Sequence, residues 1–260
     1  MNQLISIIVP TYNEAGNIGT LLSELTGVAG AGSCLEIIVV DGGSSDRTPA
    51  IVAEYISNYS SNHPADAAGN YVDNSLIRLI STSPGRAAQM NQGAKAARGE
   101  ILLFLHADSR LPKDFIKLVN QVWEIPEQGS QTPPHPHIAG AFELEITGDL
   151  PGLRLVEKLV NLRSHLCQLP YGDQAIFLKT ATFQQIGGFP DLPIMEDFQL
   201  IRRLQKLGKI AIVPAPVKTS PRRWQKLGVW QTTMINQLVI LAFFLGFPPE
   251  KIANFYRRKK

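Results

Sequence analysis

The chain predicts an α/β fold built on a parallel sheet, and three strand ends predict it. The apolar runs LISIIVP (Leu4 to Pro10), LEIIVV (Leu35 to Val40) and ILLFL (Ile101 to Leu105) each stop at a polar turn: PTYNE, DGGSSD and HADSR. Residues of helical period follow the first two, Ile18, Leu21, Leu22 and Leu25 in one case and Ile51, Val52 and Tyr55 in the other. Strand, polar turn and helix in repetition mark βαβ units, whose parallel strands are apolar throughout because helices cover both faces. The three polar ends then share the C-terminal rim, where open α/β sheets bind ligands.

Each further element has a local reason. Ser44, Ser45 and Asp46 before Arg47-Thr48-Pro49 make a helix start. Residues Ser57 to Ser75 are rich in turn formers and are expected as a surface loop before the strand LIRLI. Gly85-Arg86 opens a helical stretch that carries Gln89, Asn91 and Gly93. Pro126 to His137 reads as a second, Pro-rich loop, in which His135 and His137 have no fixed geometry for a metal. Gly172-Asp173-Gln174 leads into the strand AIFL, and Gly187-Gly188-Phe189-Pro190 is expected as a flexible turn. Leu200, Leu204 and Leu207 recur at helical spacing, which puts Asp197 on the first turn of a helix.

Composition excludes several classes. A chain of 260 residues, 44% hydrophobic and 18% charged, buries a substantial core and is not disordered. Its net charge of +3 comes with no basic stripe of interleaved aromatics, so no nucleic-acid groove is expected. Two cysteines, Cys34 and Cys167, form neither a disulfide framework nor a zinc spacing, which sets a reduced, cytoplasmic expectation. Trp230 to Phe247 is apolar over its second half, but Gln231, Asn236 and Gln237 interrupt it and Pro248-Pro249 ends it, short of the about 20 residues a spanning helix needs. With basic residues on both flanks it suits a peripheral position on the inner face of the cell membrane. A core helix or a homodimer contact would bury it equally well.

The ordered set PTYNE, VDGGSSD, GRAAQMNQGAKAARGE running into ILLFLHADSRLP, YGDQAIFLKTATFQQIGGFP and MEDF resembles a family 2 inverting glycosyltransferase over roughly residues 4 to 213. The spellings HADSRLP and GDQAIF, with the late SPRRW, are most similar to the bacterial subgroup associated with arsenosugar biosynthesis. The resemblance implies a GT-A fold: a Rossmann-like three-layer sandwich with a mostly parallel central sheet and C-terminal helices. It divides the chain into a transferase domain, residues 1–220, and a helical extension, residues 221–260, packed on the domain or interfacial.

The resemblance also implies roles. Pro10, Thr11, Tyr12, Glu14 and Asp41 would hold the nucleoside, although Glu14 as helix N-terminal charge and Asp41 as an Asx-turn residue are the plainer alternatives. Asp108 matches the last Asp of the family's DxD motif, the carboxylate that holds Mn2+ or Mg2+ against the diphosphate. His106 stands where an Asp is usual; facing the ribose it leaves the metal site intact, and in the ion's shell it favours manganese. Arg86 would reach a phosphate or base, and Arg222 and Arg223 would clamp the diphosphate as a closing loop. Asp197 matches the catalytic base, with Glu196 in support, and Asp173 and Gln174 match the acceptor-side segment. The QxxRW spelling of processive synthases is missing.

Transfer of one sugar from a UDP- or GDP-sugar to a small-molecule or lipid-like acceptor is the activity implied. The alternatives are a carotenoid or lipid glycosyltransferase at the membrane surface, a catalytically silent nucleotide-binding protein, and a nucleotidyltransferase.

Overall fold

The computed structural model describes residues 3–28, 34–62, 76–123 and 137–258. The first half alternates strand and helix: β1 (Ile5–Thr11), α1 (Ala15–Val28), β2 (Leu35–Asp41), α2 (Thr48–Asn62), β3 (Ile77–Ser81), α3 (Arg86–Ala96) and β4 (Ile101–Phe104). There follow β5 (Ser109–Arg110), α4 (Phe115–Gln121), β6 (Ala139–Ile146), α5 (Leu153–Cys167), β7 (Phe177–Lys179), α6 (Thr180–Gln185), α7 (Glu196–Leu204) and β8 (Ile210–Thr219). Three helices end the described chain: α8 (Arg222–Leu227), α9 (Val229–Phe244) and α10 (Pro249–Arg258).

The strands form one mixed sheet in the order β3-β2-β1-β4-β7-β6-β8-β5. From β3 to β4 every pairing is parallel, with Ile5 opposite Leu35 and Ile101, and Thr11 opposite Asp41. Chain order reverses between β1 and β4, the switch point at which such sheets leave a crevice. β7 is inserted antiparallel beside β4, so its start lies at the rim where β4 ends. β6 and β8 are parallel to each other and point back to that rim, where β8 delivers α8.

Alternation along β1 and β2 builds two cores. Ile5, Ile7, Val9, Ile37 and Val39 pack with α1, α2 and α4, whereas Ile8, Ile38 and Val40 pack with α3, α6 and α7. Every residue of β2 is buried, as a strand covered by helices on both sides requires. Each Ile, Leu or Val so enclosed stabilises the fold by about 1.5–3 kcal/mol relative to exposure. On α1 the four residues at helical period, Ile18, Leu21, Leu22 and Leu25, are the buried ones. The third layer approaches closely at Gly93 of α3, where a Cβ would lie 2.5 Å from Ile8 Cγ2.

Two expectations about loops change. The surface loop expected from Ser57 begins later, because α2 runs to Asn62. Tyr55, Ile56 and Tyr59 pack on the core, and the Ser57 and Ser61 hydroxyls donate back to the carbonyls of Ala53 and Ser57 at 3.0 and 2.9 Å, so polar composition does not end the helix. The rest of that loop, residues 63–75, lies outside the described residues, as does the second loop up to residue 136 with His135. His137 is described, and its carbonyl accepts from Trp123 Nε1 at 2.8 Å. Among the described residues no helix is long and apolar enough to cross a membrane.

Behind the sheet, away from the rim, Glu36 is a buried carboxylate that joins four segments. It accepts from Ser6 Oγ at 2.5 Å, from the backbone of Arg98 and Gly99, and from Arg98 Nε at 3.1 Å, with Arg78 at 3.5 Å. Burial alone would raise its pKa, but the hydrogen bonds from Ser6 and Arg98 outweigh burial and hold it below the ordinary 4.5. A depressed folded-state pKa means stability that is complete above the ordinary value and lost as pH falls through the folded one. Glu36→Gln is expected to lower stability at neutral pH by about 1–3 kcal/mol and to flatten the acid loss, both read by urea denaturation at stepped pH.

Candidate active site

The loops after β1, β2, β4 and β8 meet the loop before β7 at one rim. On the side of β1 and β2, Asn13 takes a left-handed conformation, φ 56°, which an Asn tolerates better than most residues. Its N–H donates to Ser44 Oγ at 2.8 Å and its Oδ1 accepts from Ser45 N at 2.8 Å, so it knits the two turns together. Asp41 accepts from Gly43 N, Ser44 N and Ser44 Oγ at 3.0, 2.9 and 2.5 Å. Thr11 Oγ1 reaches Asp41 at 3.3 Å. Asp41 thus forms an Asx turn, and Thr11 is buried beside it. Tyr12, 56% exposed, is the open face of this side, and Pro10 is half-buried in β1.

Gln89 of α3 closes the turns from beneath. Its Nε2 donates to Thr11 O at 2.7 Å and Val40 O at 2.8 Å, carbonyls at the ends of two neighbouring strands. A Cβ at Gly42 would come within 2.9 Å of that amide and would displace it from the two carbonyls.

Opposite, at the end of β4, Asp108 faces Glu14 across a shared arginine. Arg222 Nη2 donates to Asp108 Oδ2 at 2.9 Å and to both Glu14 oxygens at 3.1 and 3.2 Å. These bonds to Asp108 and Glu14 outweigh the effect of partial burial and raise the Arg222 pKa. Arg223 departs from the expected clamp. Its guanidinium lies 4.3 Å from the centre of the Tyr256 ring, is bonded to the Tyr256 hydroxyl, and turns towards α10 instead of the two carboxylates. Helical geometry explains the split, because adjacent residues on α8 point about 100° apart.

The third group surrounds Gly172. Asp197 Oδ2 accepts from Gly172 N at 2.8 Å and Oδ1 from Phe198 N at 2.7 Å, on the first turn of α7 where the helix dipole favours negative charge. A Cβ on Gly172 would sit 3.0 Å from Asp197 Oδ2 and 3.5 Å from His106 Nε2, so carboxylate and imidazole flank the same glycine. Beside them Arg86 Nε donates to Glu196, which is 2% exposed, and Arg86 Nη2 lies 4.0 Å from Asp197. Arg86 therefore joins α3 to the acid pair. Asp173 has a buried Oδ1 with no hydrogen-bond partner among the described residues. Burial raises its pKa, Arg163 opposes the rise and Asp197 adds to it.

Gln174 does not face this opening. It is fully buried, donating to Phe142 O at 2.9 Å and accepting from Ser164 Oγ at 2.9 Å, so its amide holds the turn and is not available to an acceptor. The Gly187-Gly188 turn, expected as flexible, is tied to α3 at its next residue. Both glycines have positive φ, and Asn91 pairs with both backbone groups of Phe189 at 2.9 Å. Asn13, Gln89 and Asn91 carry no charge and no motif chemistry, and only Asn13 had a local signal, its place in a tight polar turn.

Because Glu196 is buried and its cationic partner is Arg86, Arg86→Met is expected to destabilise the protein by at least about 1–3 kcal/mol in chemical denaturation. Arg86→Lys should recover only part of this, since one ammonium cannot serve both carboxylates as a guanidinium does.

Residues 6–138 match the family described as glycosyl transferase family 2. Among curated proteins the chain is 24% identical over 267 residues to "Probable glycosyltransferase YdaM" of Bacillus subtilis, covering 94% of this chain and 57% of that protein. Among solved structures it is similar to the mannosyltransferase PcManGT from Pyrobaculum calidifontis in complex with GDP-Man and Mn2+: TM-score 0.59, 23% identity, 84% of this chain and 57% of that one. It is likewise similar to S. aureus TarS 1-349 in complex with UDP-GlcNAc: TM-score 0.57, 20% identity, 83% of this chain and 58% of that one. The structural likenesses, both under 25% identity, show the GT-A-like α/β fold, and the chain spans little more than half the length of these relatives. With half of its residues matched by the family, the chain belongs to glycosyl transferase family 2.

Proposed function

We propose that the protein transfers a single sugar, with inversion, from a nucleotide-diphosphate sugar to a small-molecule or lipid-like acceptor. The observation that carries this reading is the meeting, at one rim, of the Asp108–Glu14 pair with Asp197 and His106 around Gly172. Residues 1–220 are the transferase domain in this reading, and residues 221–260 are a helical extension packed on it.

In the reaction the acceptor hydroxyl attacks the anomeric carbon on the face opposite the diphosphate. Its proton passes to Asp197, and the bond from carbon to diphosphate oxygen breaks. Gly172 N–H and Phe198 N–H orient the Asp197 carboxylate, and its remaining lone pairs are free to accept that proton. Asp173, next to Gly172, has a buried Oδ1 without a partner among the described residues, and in this reading it accepts from an acceptor hydroxyl. Arg222 serves the diphosphate by leaving Glu14 and Asp108 for the phosphate oxygens.

A divalent ion fits this donor set in one particular way. Among the described residues no three His, Cys, Asp or Glu side chains gather to hold a metal. Asp108 offers one hard oxygen, which suits Mg2+ or Mn2+ arriving with the diphosphate, since Mg2+ is usually held by one or two carboxylates plus substrate phosphates. When bound, the ion neutralises charge that develops on the leaving group. The complexes of related folds with GDP-Man and UDP-GlcNAc support a GDP- or UDP-sugar donor. The HADSRLP and GDQAIF spellings support a small organoarsenical acceptor. The exposed apolar residues of α9 support a lipid-like one, with the protein on the inner face of the membrane, and we favour that class.

A thermal-shift panel of UDP, GDP, dTDP and CDP, with and without Mn2+, tests the donor. One diphosphate should stabilise in a metal-dependent way, by about 2.7 kcal/mol at 100 times its Kd, and Asp108→Ala should abolish the effect. Stabilisation by none of the four, under either condition, would count against the reading. Once a donor is known, Asp197→Asn should lower kcat by about 10²- to 10⁴-fold with nucleotide binding unchanged, and release of pyrophosphate instead of nucleoside diphosphate would assign nucleotidyl transfer.

A further inference from the structure

Leu155, Leu159, Leu162 and Leu166 of α5 are 48, 54, 53 and 74% exposed. Their spacing of four, three and four residues puts them on one stripe of the helix. The opposite face of α5, with Leu153 and Val156, packs under β6 residues Leu144 and Ile146, so the stripe is a second apolar face that the fold does not use. The exposed charged residues of α5 are Arg154 and Lys158, and its acid, Glu157, is buried against Arg154.

α9 repeats the pattern. Val229, Thr232, Ile235 and Val239 are buried, while Trp230, Met234, Leu238 and Leu241 are 45–64% exposed, and the helix carries no charge. Gln231 and Gln237 are exposed beside this face, which is otherwise a row of large apolar side chains that the fold leaves uncovered. α5 and α9 meet at Gly152, where a Cβ would lie 3.4 Å from the side chains of both Val229 and Trp230. At Leu238 the α9 face continues into an apolar groove of about 270 Å³ between α9 and α10, lined also by Phe247, Ile252, Phe255 and Lys251. The exposed charges around these surfaces are Lys226 on α8 and Lys251, Arg257 and Arg258 on α10, against one exposed acid on these helices, Glu250.

We propose that the outer faces of α5 and α9, with the α9–α10 groove, form a docking surface for an anionic lipid bilayer. Large apolar side chains flanked by Lys and Arg, on helices too short to span, are the chemistry of an interfacial surface. A second copy of the chain would bring the same positive charges face to face, which disfavours that occupant. Leu169, just beyond α5, and Tyr171, next to Gly172, both pack against the cluster that holds Val239 of α9 and Ile252 of α10, so the inner side of these helices adjoins the segment that carries Asp173. Its bearing on acceptor delivery rests on the transfer reaction proposed above; lipid binding itself does not.

Vesicle flotation tests it with the intact protein. Vesicles of phosphatidylcholine containing phosphatidylglycerol should carry the protein up, vesicles of phosphatidylcholine alone should carry much less, and added salt should release it. The double substitution L159E/L162E should reduce the bound fraction by about tenfold or more, with the thermal unfolding midpoint and any nucleotide-induced shift unchanged because both positions are exposed. Absence of flotation in the intact protein, or equal flotation of the variant, overturns the proposal. So does a dimer in light scattering that the same substitutions dissolve, which would assign the surface to a second copy. Nucleotide stabilisation measured on the same samples reports on the transferase reading separately.

Discussion

The rim of this sheet gathers more negative charge than a half-buried crevice tolerates, and two arginines make it possible. Glu14 and Asp108 approach each other because Arg222 lies between them, and Glu196 is buried because Arg86 reaches it from α3. Each pair joins segments far apart in sequence, 208 residues for Arg222 with Glu14 and 110 for Arg86 with Glu196. The arginines differ in what replacing them requires. Arg222 is half exposed, at 52%, and its partners are ones a cation of another kind would also satisfy. Glu196 is enclosed, so its arginine is a fixed part of the wall.

The parallel half of the fold was legible because β1, β2 and β4 end in polar turns that cannot continue a strand, and α1 and α2 show their period. Asp108 and Asp197 were legible for the same reason, standing at the end of a strand and on the first turn of a helix. What could not be read were choices made by tertiary packing. Nothing local distinguishes Gln174, whose buried amide is fully hydrogen-bonded in the core, from Asp173 beside it, whose buried Oδ1 has no hydrogen-bond partner among the described residues. Arg222 and Arg223 are identical as residues, and only the docking of α8 sends one to Asp108 and the other to Tyr256. The Gly187-Gly188 turn read as flexible because glycines permit movement, but here they permit a conformation that Asn91 then locks.

The apolar surface of α5 and α9 belongs to the same logic. In the proposed reading the acceptor is lipid-like, and the transferase then needs its reactive groups near the bilayer without lying in it. Here the leucine stripe leads along α5 towards Tyr171, whose ring is covered by Arg163 at 3.7 Å, and the acidic groups lie just beyond. The sheet supplies the stiffness that keeps those two regions in register.

The pairing of Ser109 with Thr219 and of Arg110 with Lys218 has a consequence for the order in which the molecule is made. The segment that follows Asp108 finds its sheet partner only in a strand that leaves the ribosome more than a hundred residues later. The β1 to β4 half has every parallel neighbour it needs by Phe104, whereas the segment after Asp108 has its sheet partner only in β8. A nascent chain thus has the turns after β1 and β2 early and the full set of rim residues only once β8 has emerged. The contact of Glu14 and Asp108 through Arg222 therefore cannot form before the segment that follows β8 has been synthesised.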